Sequence, residues 1–253
     1  MKRQKKKFLI IVFGGFLVVA AVILIAKGIH YFSGEKVDTK EGVAIIKAAE
    51  EENVKDIEKK ISKLEMKDKL QAGETANGNV NYKSLFSSAV VMGDSISEGF
   101  VEYDLLNASS VVAKIGVELY ELEDQIQTAV NIAPQMVFLS YGMNDLVATN
   151  GDTDRFIQQY SAVVDQLRKK LPDATLYVNS IFPVSAAKQA EDPLFQKIPE
   201  YNAALQKMCD EKQLAFLDNT GLVSETYYEE DGIHFKAEFY PIWLRRMAEG
   251  AAL

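Results

Sequence analysis

The sequence predicts an α/β fold, in which helices cover a parallel sheet, for the part of the chain beyond Tyr82. There, short apolar runs alternate with segments of helical periodicity, as in repeated strand–helix–strand units. The 253-residue chain is 48% hydrophobic and 25% charged, as ordinary globular domains are. About 170 residues remain after the differently composed N-terminal region, which is the size of one domain.

Five short apolar runs are the candidate strands of this sheet. They are Ala89–Met92, Val111–Ala113, Met136–Ser140, Thr175–Ile181 and Leu214–Leu217. Because ligands of open parallel sheets bind at the carboxyl ends of the strands, we expect functional residues directly after these runs.

Helices are predicted between the strands. The clearest runs from Asp154 to Leu171, where apolar residues recur every three or four positions and Pro172 ends the pattern. A second helix spans about Glu200 to Lys212, and a last one follows His234 and includes Trp243. We interpret their apolar faces as core.

The N-terminal region predicts a membrane anchor. Residues 1–7 hold five basic side chains, and residues 8–26 form an uncharged apolar run of 19 residues. As a helix this run is about 28 Å long, close to the hydrocarbon thickness of a bilayer. It is longer than the apolar region of a cleaved signal peptide, which is the alternative interpretation. The positive-inside rule predicts a single-pass protein of the cell membrane, with a cytoplasmic N-terminus and the remainder outside.

Residues 27–82 are predicted to form an extracytoplasmic, charged stalk that leads to the folded domain at 83–253. Glu and Lys dominate most of this stretch. One apolar seam at helical spacing crosses it, formed by Val54, Ile57, Ile61 and Leu64. The seam is too short to predict a coiled coil, so a solvated helix, weak self-association and docking on the folded domain all stay open.

Charge and cysteine content exclude several classes of protein. The formal net charge is −8, and without the five basic residues at 1–7 the chain has 23 basic against 36 acidic side chains, a net charge of −13. A chain this acidic is not built to bind nucleic acid through phosphates. The single cysteine, Cys209, excludes an intrachain disulfide and a cysteine-based zinc site. No metal and no organic cofactor are predicted.

Reactive side chains follow the predicted strands. The motif Gly93-Asp94-Ser95-Ile96-Ser97 comes after the first strand, Gly142-Met143-Asn144-Asp145 after the third, and Asp231-Gly232-Ile233-His234 near the C-terminus. Each motif by itself is also an ordinary turn or helix cap. Together they supply the nucleophile, base, carboxylate and oxyanion donors that a serine hydrolase needs.

Ser95, His234 and Asp231 are the candidate catalytic residues. A serine hydroxyl becomes nucleophilic when an imidazole accepts its proton, and a carboxylate fixes the tautomer of that imidazole. His234 is the only histidine besides His30, which adjoins the predicted anchor, so it is the only candidate base in the domain. Asp231 precedes it by three residues, a spacing that places both groups on one side of a turn. The alternative is a histidine that merely packs after a turn.

The candidate oxyanion-hole donors are the backbone N–H groups of Ser95 and Gly116 and the side-chain amide of Asn144. Each such donor contributes about 3 kcal/mol to stabilising the transition state. Gly116 follows the second strand, and without a side chain its N–H is accessible; a glycine that simply ends a strand is the alternative. Three polar residues of the motifs have roles that stay open between loop shaping and function: Asp94, Ser97 and Asp145.

The motifs resemble those of the SGNH hydrolases, also called the GDSL-like lipase and esterase family. Residues 93–97 are similar to the first block of that family, Gly116 to the second, 142–145 to the third and 231–234 to the last. The blocks occur in order and cover about residues 85–250, with Ile96 in place of the usual leucine.

This resemblance implies a flavodoxin-like three-layer α/β/α sandwich with a mainly parallel sheet. It also implies that Ser95 is the nucleophile, His234 the base and Asp231 its orienting partner. Ser95, Gly116 and Asn144 would form the oxyanion hole.

An SGNH-type domain outside the membrane resembles bacterial envelope enzymes that remove or transfer O-acetyl groups on glycans. The sequence has no insertion long enough to build an apolar lid, which favours a small acyl group. The predicted function is an esterase that removes acetyl groups from envelope carbohydrate. An O-acetyltransferase that uses the same acyl-enzyme is the alternative.

Two other function classes stay open. In a metal-dependent phosphoesterase, the aspartates of the motifs and His234 would surround a cation, but Ser95 and Asn144 would have no role. A catalytically silent, glycan-binding scaffold would keep the fold. The presence of all three candidate catalytic residues argues against it.

Overall fold

The computed structural model describes residues 80–253. The predicted basic segment, the anchor and the stalk up to residue 79 lie outside the described residues. Within residues 80–253, none of the helices combines the length and apolarity needed to cross a membrane. Val80 already packs against the core, and the Tyr82 hydroxyl donates to the carbonyl oxygen of Pro241 at 3.0 Å. The chain is therefore part of the domain from the first described residue.

A parallel sheet of five strands forms the centre of the described domain. The strands are β1 (Ala89–Gly93), β2 (Val111–Ala113), β3 (Met136–Ser140), β4 (Thr175–Asn179) and β5 (Ala215–Leu217). Their order is β2-β1-β3-β4-β5, and every neighbouring pair is parallel. β1 and β3 are almost wholly buried, as parallel strands covered on both faces are. The predicted α/β fold with a parallel sheet is confirmed.

Eight α-helices surround the sheet in the described residues. They are α1 (Tyr82–Leu85), α2 (Ser95–Glu102), α3 (Glu123–Ile132), α4 (Met143–Ala148), α5 (Thr153–Lys170), α6 (Ala186–Glu191), α7 (Ile198–Lys212) and α8 (Tyr240–Ala251). Right-handed crossovers place α2 on one face of the sheet and α3, α5 and α7 on the other, because the strand order reverses direction after β2.

Side-chain contacts hold each helical layer together. On the first face, Phe100 of α2 packs on Trp243 of α8 with ring centroids 4.6 Å apart. On the other face, Lys170 of α5 pairs with Glu123 of α3 at 2.8 Å. The apolar stripe of α5 is buried, which confirms its interpretation as core; it comprises Phe156, Tyr160, Val163, Val164 and Leu167.

The predicted strand ends need small corrections. β4 stops at Asn179 rather than at Ile181, because the backbone N–H of Ile181 donates to the side chain of Asn202 at 2.7 Å instead of to a strand. β5 begins at Ala215 rather than at Leu214, because the Leu214 N–H donates to the Cys209 carbonyl and so closes α7. Both corrections follow from side-chain or helix-end hydrogen bonds that the apolar pattern does not report.

The strand order also locates the site. β1 and β3 are neighbours, but the crossover after β1 leads to β2 on one side and the crossover after β3 leads to β4 on the other, so a crevice opens beyond the carboxyl ends of β1 and β3. Ser95 and Asn144 lie in the first turns of the helices that follow these two strands, α2 and α4.

Candidate active site

Ser95 lies at the junction between β1 and α2. It is the first residue of α2, and the side chain of Asp94 caps this helix by accepting from the Ile96 N–H at 3.1 Å. Asp94 is buried and Ser95 is half-buried. The cap therefore fixes the turn that presents the Ser95 hydroxyl at the rim of the sheet.

Asp231 and His234 lie in a tight turn before α8. The turn is closed by the Glu229 N–H, which donates to the His234 carbonyl at 2.8 Å, and Gly232 takes a φ of +71°, which favours glycine. One carboxylate oxygen of Asp231 accepts from the backbone N–H groups of Ile233 and His234, both at 2.9 Å. The side chain of Asp231 is thereby locked in place.

The three candidate catalytic side chains form one hydrogen-bonded series. The second carboxylate oxygen of Asp231 is 2.5 Å from His234 Nδ1, and His234 Nε2 is 2.9 Å from Ser95 Oγ. The residues predicted at positions 95, 231 and 234 are thus brought together across 139 positions of sequence. The His234 and Asp231 side chains are 40% and 48% exposed, so water and substrate reach them.

Hydrogen bonds determine the charge of Asp231. Partial burial opposes ionisation, but the bonds from the His234 ring and from two backbone N–H groups outweigh it and lower the pKa of Asp231 below its ordinary value. An ionised Asp231 accepts a hydrogen bond from Nδ1–H, which leaves the Nε2 lone pair directed at Ser95. This arrangement suits a general base.

Asn144 lies in the first turn of α4, after β3, and Gly116 lies on the loop after β2. Asn144 is near the start of α4, and its Nδ2 donates one hydrogen to the Val117 carbonyl at 3.1 Å, which leaves the second hydrogen for another acceptor. Gly116 is exposed after β2, with a φ of +68°. The Lys114 N–H donates to the Gly93 carbonyl at 3.3 Å and so holds this loop against the end of β1.

The backbone before Asn144 requires glycine. Gly142 has a φ of +130°, and a Cβ at this position would collide with the side chain of Ile181. Only a glycine lets β3 turn this closely into α4.

Four buried polar side chains form a layer beneath these segments. We call this layer the polar floor; it consists of Asp94, Gln125, Tyr141 and Asp145. Asp145 Oδ1 accepts from the Leu119 N–H at 2.8 Å, while its Oδ2 is buried and has no partner among the described residues. Burial raises the pKa of Asp145 to about 7 and that of Asp94 to about 6. Asp94 caps α2 and Asp145 holds the loop at Leu119, which gives these two of the three open motif residues a structural role.

Gln125 and Tyr141 were not predicted as site residues. Tyr141 donates its hydroxyl to Gln125 Oε1 at 2.9 Å, and both side chains are buried. The only sequence signal for Gln125 is its place beside Ile126 and Ala129, the buried stripe of α3, and near Leu122, which precedes the helix. A polar residue on such a stripe indicates a buried hydrogen-bond network but not its partners.

In residues 80–253, no cluster of three or more His, Cys, Asp or Glu side chains is arranged to hold a metal ion. The oxygens of Asp231 are engaged by His234 and by backbone N–H groups. No residue of the described domain is therefore assigned as a metal ligand.

Residues 91–242 match the model of the GDSL-like lipase/acylhydrolase family. No curated protein matches the sequence. The match covers more than half of the chain and includes Ser95, Gly116, Asn144, Asp231 and His234.

Solved structures of low sequence identity share the fold. A putative acylhydrolase from Bacteroides fragilis has a TM-score of 0.54 at 20% identity, over 64% of this chain and 84% of that chain. A GDSL-like lipase from Bacteroides thetaiotaomicron has a TM-score of 0.54 at 19% identity, over 74% and 98%. An acetylxylan esterase from Geobacillus stearothermophilus has a TM-score of 0.52 at 13% identity, over 64% and 92%.

Proposed function

The chain belongs to the GDSL-like lipase/acylhydrolase family and is an ester hydrolase, and on this basis we propose that it removes acetyl groups from cell-envelope carbohydrate. The hydrogen-bonded series from Asp231 through His234 to Ser95, with distances of 2.5 and 2.9 Å, carries this proposal. It is the arrangement that activates a serine for attack on an ester.

The reaction begins when Ser95 Oγ attacks the ester carbonyl and His234 Nε2 takes the hydroxyl proton. Ionised Asp231 stabilises the imidazolium that forms. The negative charge on the former carbonyl oxygen is met by the N–H groups of Ser95 and Gly116 and by Asn144 Nδ2. His234 then gives its proton to the leaving sugar oxygen, which leaves an acetyl ester on Ser95.

Deacylation repeats these steps with water. His234 Nε2 removes a proton from water, whose oxygen attacks the acyl-enzyme. The proton then passes to Ser95 Oγ as the bond to the acyl group breaks, which releases acetate and restores the hydroxyl.

Two features support a small acyl group on a bulky alcohol. The His234 and Asp231 side chains are open to solvent beside the half-buried Ser95, so a carbohydrate chain has access to the nucleophile. The sequence has no insertion long enough to build an apolar lid over Ser95, which favours a small acyl group. An acetylxylan esterase is among the proteins of the same fold, and acetylated carbohydrate is the substrate class that we propose here.

The proposal includes the location of the enzyme. The basic residues at 1–7 and the apolar run at 8–26 support a single membrane anchor, with the ester hydrolase domain outside the cell membrane. Protease added to intact cells is expected to remove the domain and to leave the anchor with the membrane fraction.

The decisive experiment compares two serines of one motif. Acetate release from acetylated wall polymers and acetylated xylan, and hydrolysis of p-nitrophenyl acetate, are measured for the full-length protein and for Ser95→Ala and Ser97→Ala. Ser97 is buried, and its hydroxyl has no partner among the described residues, so its loss should leave turnover intact. Ser95→Ala should abolish turnover; an unchanged rate in this variant would refute the nucleophile. Transfer of acetyl to a sugar, in place of acetate release, would make the enzyme a transferase.

A further inference from the structure

Gln125 is a buried side chain in a helix segment whose neighbours Asp124 and Gln127 are exposed. A buried carboxamide destabilises a fold unless its donors and acceptor are paired. Here all of them have partners. Nε2 donates to the carbonyls of Gly93 at 3.1 Å and Val112 at 3.0 Å, and Oε1 accepts from the Tyr141 hydroxyl at 2.9 Å.

These three partners lie at the same level of three adjacent strands. Gly93 is the last residue of β1, Val112 belongs to β2, and Tyr141 directly follows β3. In the sheet, Met92 is paired with Val112 and Gly93 with Ser140. The Gln125 side chain therefore links the carboxyl ends of β2, β1 and β3 through one hydrogen bond to each.

The segment after each of these strands, a loop or the first turn of a helix, carries one proposed oxyanion donor. The Ser95 N–H follows Gly93 by two residues, Gly116 follows Val112 by four, and Asn144 follows Tyr141 by three. Oxyanion donors act because they are held in place before the reaction, and a misplacement of about 1 Å costs about 100-fold in rate. Catalysis thus requires that the segments carrying Ser95, Gly116 and Asn144 keep their relative positions.

We propose that Gln125 is a positioning residue, which holds the ends of β1, β2 and β3 in the register that aligns the three oxyanion donors. It touches no substrate and acts through Gly93, Val112 and Tyr141. This inference rests on the proposed function, because it concerns the transition state of ester hydrolysis at Ser95.

The test removes the carboxamide and keeps the volume. For full-length Gln125→Leu, kcat for p-nitrophenyl acetate should fall about 10- to 100-fold while KM stays within about twofold. A fluorophosphonate probe should label Ser95 more slowly by the same factor, and every chain should still become labelled. The matched control is Gln127→Leu, which removes an exposed amide of the same helix that donates to Asn131 at 3.1 Å. Its kinetics should equal those of the wild type.

Each outcome has a defined meaning. Wild-type kcat in Gln125→Leu, or a loss explained entirely by a smaller labelled fraction, would overturn the positioning role. If this variant does not fold, Tyr141→Phe decides: it removes one of the three bonds and should lower kcat about three- to tenfold at constant KM. An unchanged kcat would then overturn the proposal. Absence of hydrolysis and of Ser95 labelling in the wild type would instead refute the proposed function.

Discussion

The candidate triad of Ser95, Asp231 and His234, which we call the rim, and the polar floor beneath it both contain aspartates, but the pKa values of those aspartates are shifted in opposite directions. At the rim, Asp231 is 48% exposed and hydrogen bonds keep its pKa low. In the floor, Asp94 and Asp145 are 4% and 1% exposed, and burial raises the pKa of each carboxyl. Solvent access and hydrogen bonds, more than residue identity, therefore decide which aspartate serves as the ionised partner of a base.

The two regions also differ in what they are expected to contribute. The rim supplies groups that exchange protons with the substrate. The floor supplies hydrogen bonds that fix loops, such as the bond from the Leu119 N–H to Asp145 and the cap that Asp94 forms on α2. Substitutions in the rim should thus act on rate, and substitutions of the floor aspartates chiefly on stability.

After the loss of the nucleophile itself, the largest effect is expected from His234→Ala. Without the base, Ser95 keeps its proton, so kcat should fall about 10⁴-fold or more. Initial rates with p-nitrophenyl acetate measure this loss. Lys236→Ala, an exposed substitution two residues along, should retain the wild-type rate. Retention of more than a tenth of the activity in His234→Ala would show that another group is the base.

Asp231→Asn should have the next largest effect. The asparagine oxygen can still accept from the Ile233 and His234 N–H groups, but the amide nitrogen then faces Nδ1 and cannot accept, so the imidazole loses its orienting acceptor. A fall in kcat of about 10²- to 10⁴-fold is expected, measured under the same conditions. Glu230→Gln removes the exposed neighbouring charge and should change the rate little. Equal rates for the two variants would contradict the orienting role.

The rim was predictable from the sequence, and most of the floor was not. Ser95, Asp231 and His234 lie in recognisable short motifs at strand ends, because chemistry restricts which residue types fit there. The strands and the long helices were also predictable, because the periodicity of apolar residues indicates which side chains are buried. Gln125 has no motif, because its role depends on three strands that come together only in the fold. The distance from Ser95 to His234 likewise results from tertiary packing.

Asp145→Asn should change the pH dependence of stability. The pKa of this buried carboxyl is about 7 when folded, against an ordinary value of 3.8, so the folded state binds more protons between pH 4 and 7. The stability contributed by its neutral form is complete below about pH 4 and is lost as the pH rises through 7. Ionisation at pH 8 should thus cost the wild type about 2 to 4 kcal/mol. The side chain of asparagine does not ionise, so Asp145→Asn should not show this loss of stability.

Thermal unfolding at pH 5 and pH 8 measures this difference. The drop in Tm between the two pH values should be smaller in Asp145→Asn than in the wild type. Asp154→Asn, which removes an exposed carboxylate of α5, should behave like the wild type. If the drop in Tm from pH 5 to pH 8 is the same in all three proteins, Asp145 does not titrate in this range.

The smallest effect is expected at Asp94, where two substitutions separate charge from capping. Asparagine caps helices as well as aspartate does, so Asp94→Asn should keep the bond to the Ile96 N–H and stay within about threefold of the wild-type kcat. Asp94→Ala removes the cap of α2 and should lower the free energy of unfolding by about 1 kcal/mol. Urea unfolding and p-nitrophenyl acetate kinetics distinguish the two. A large loss of kcat in Asp94→Asn would place the Asp94 carboxyl with the rim rather than with the floor.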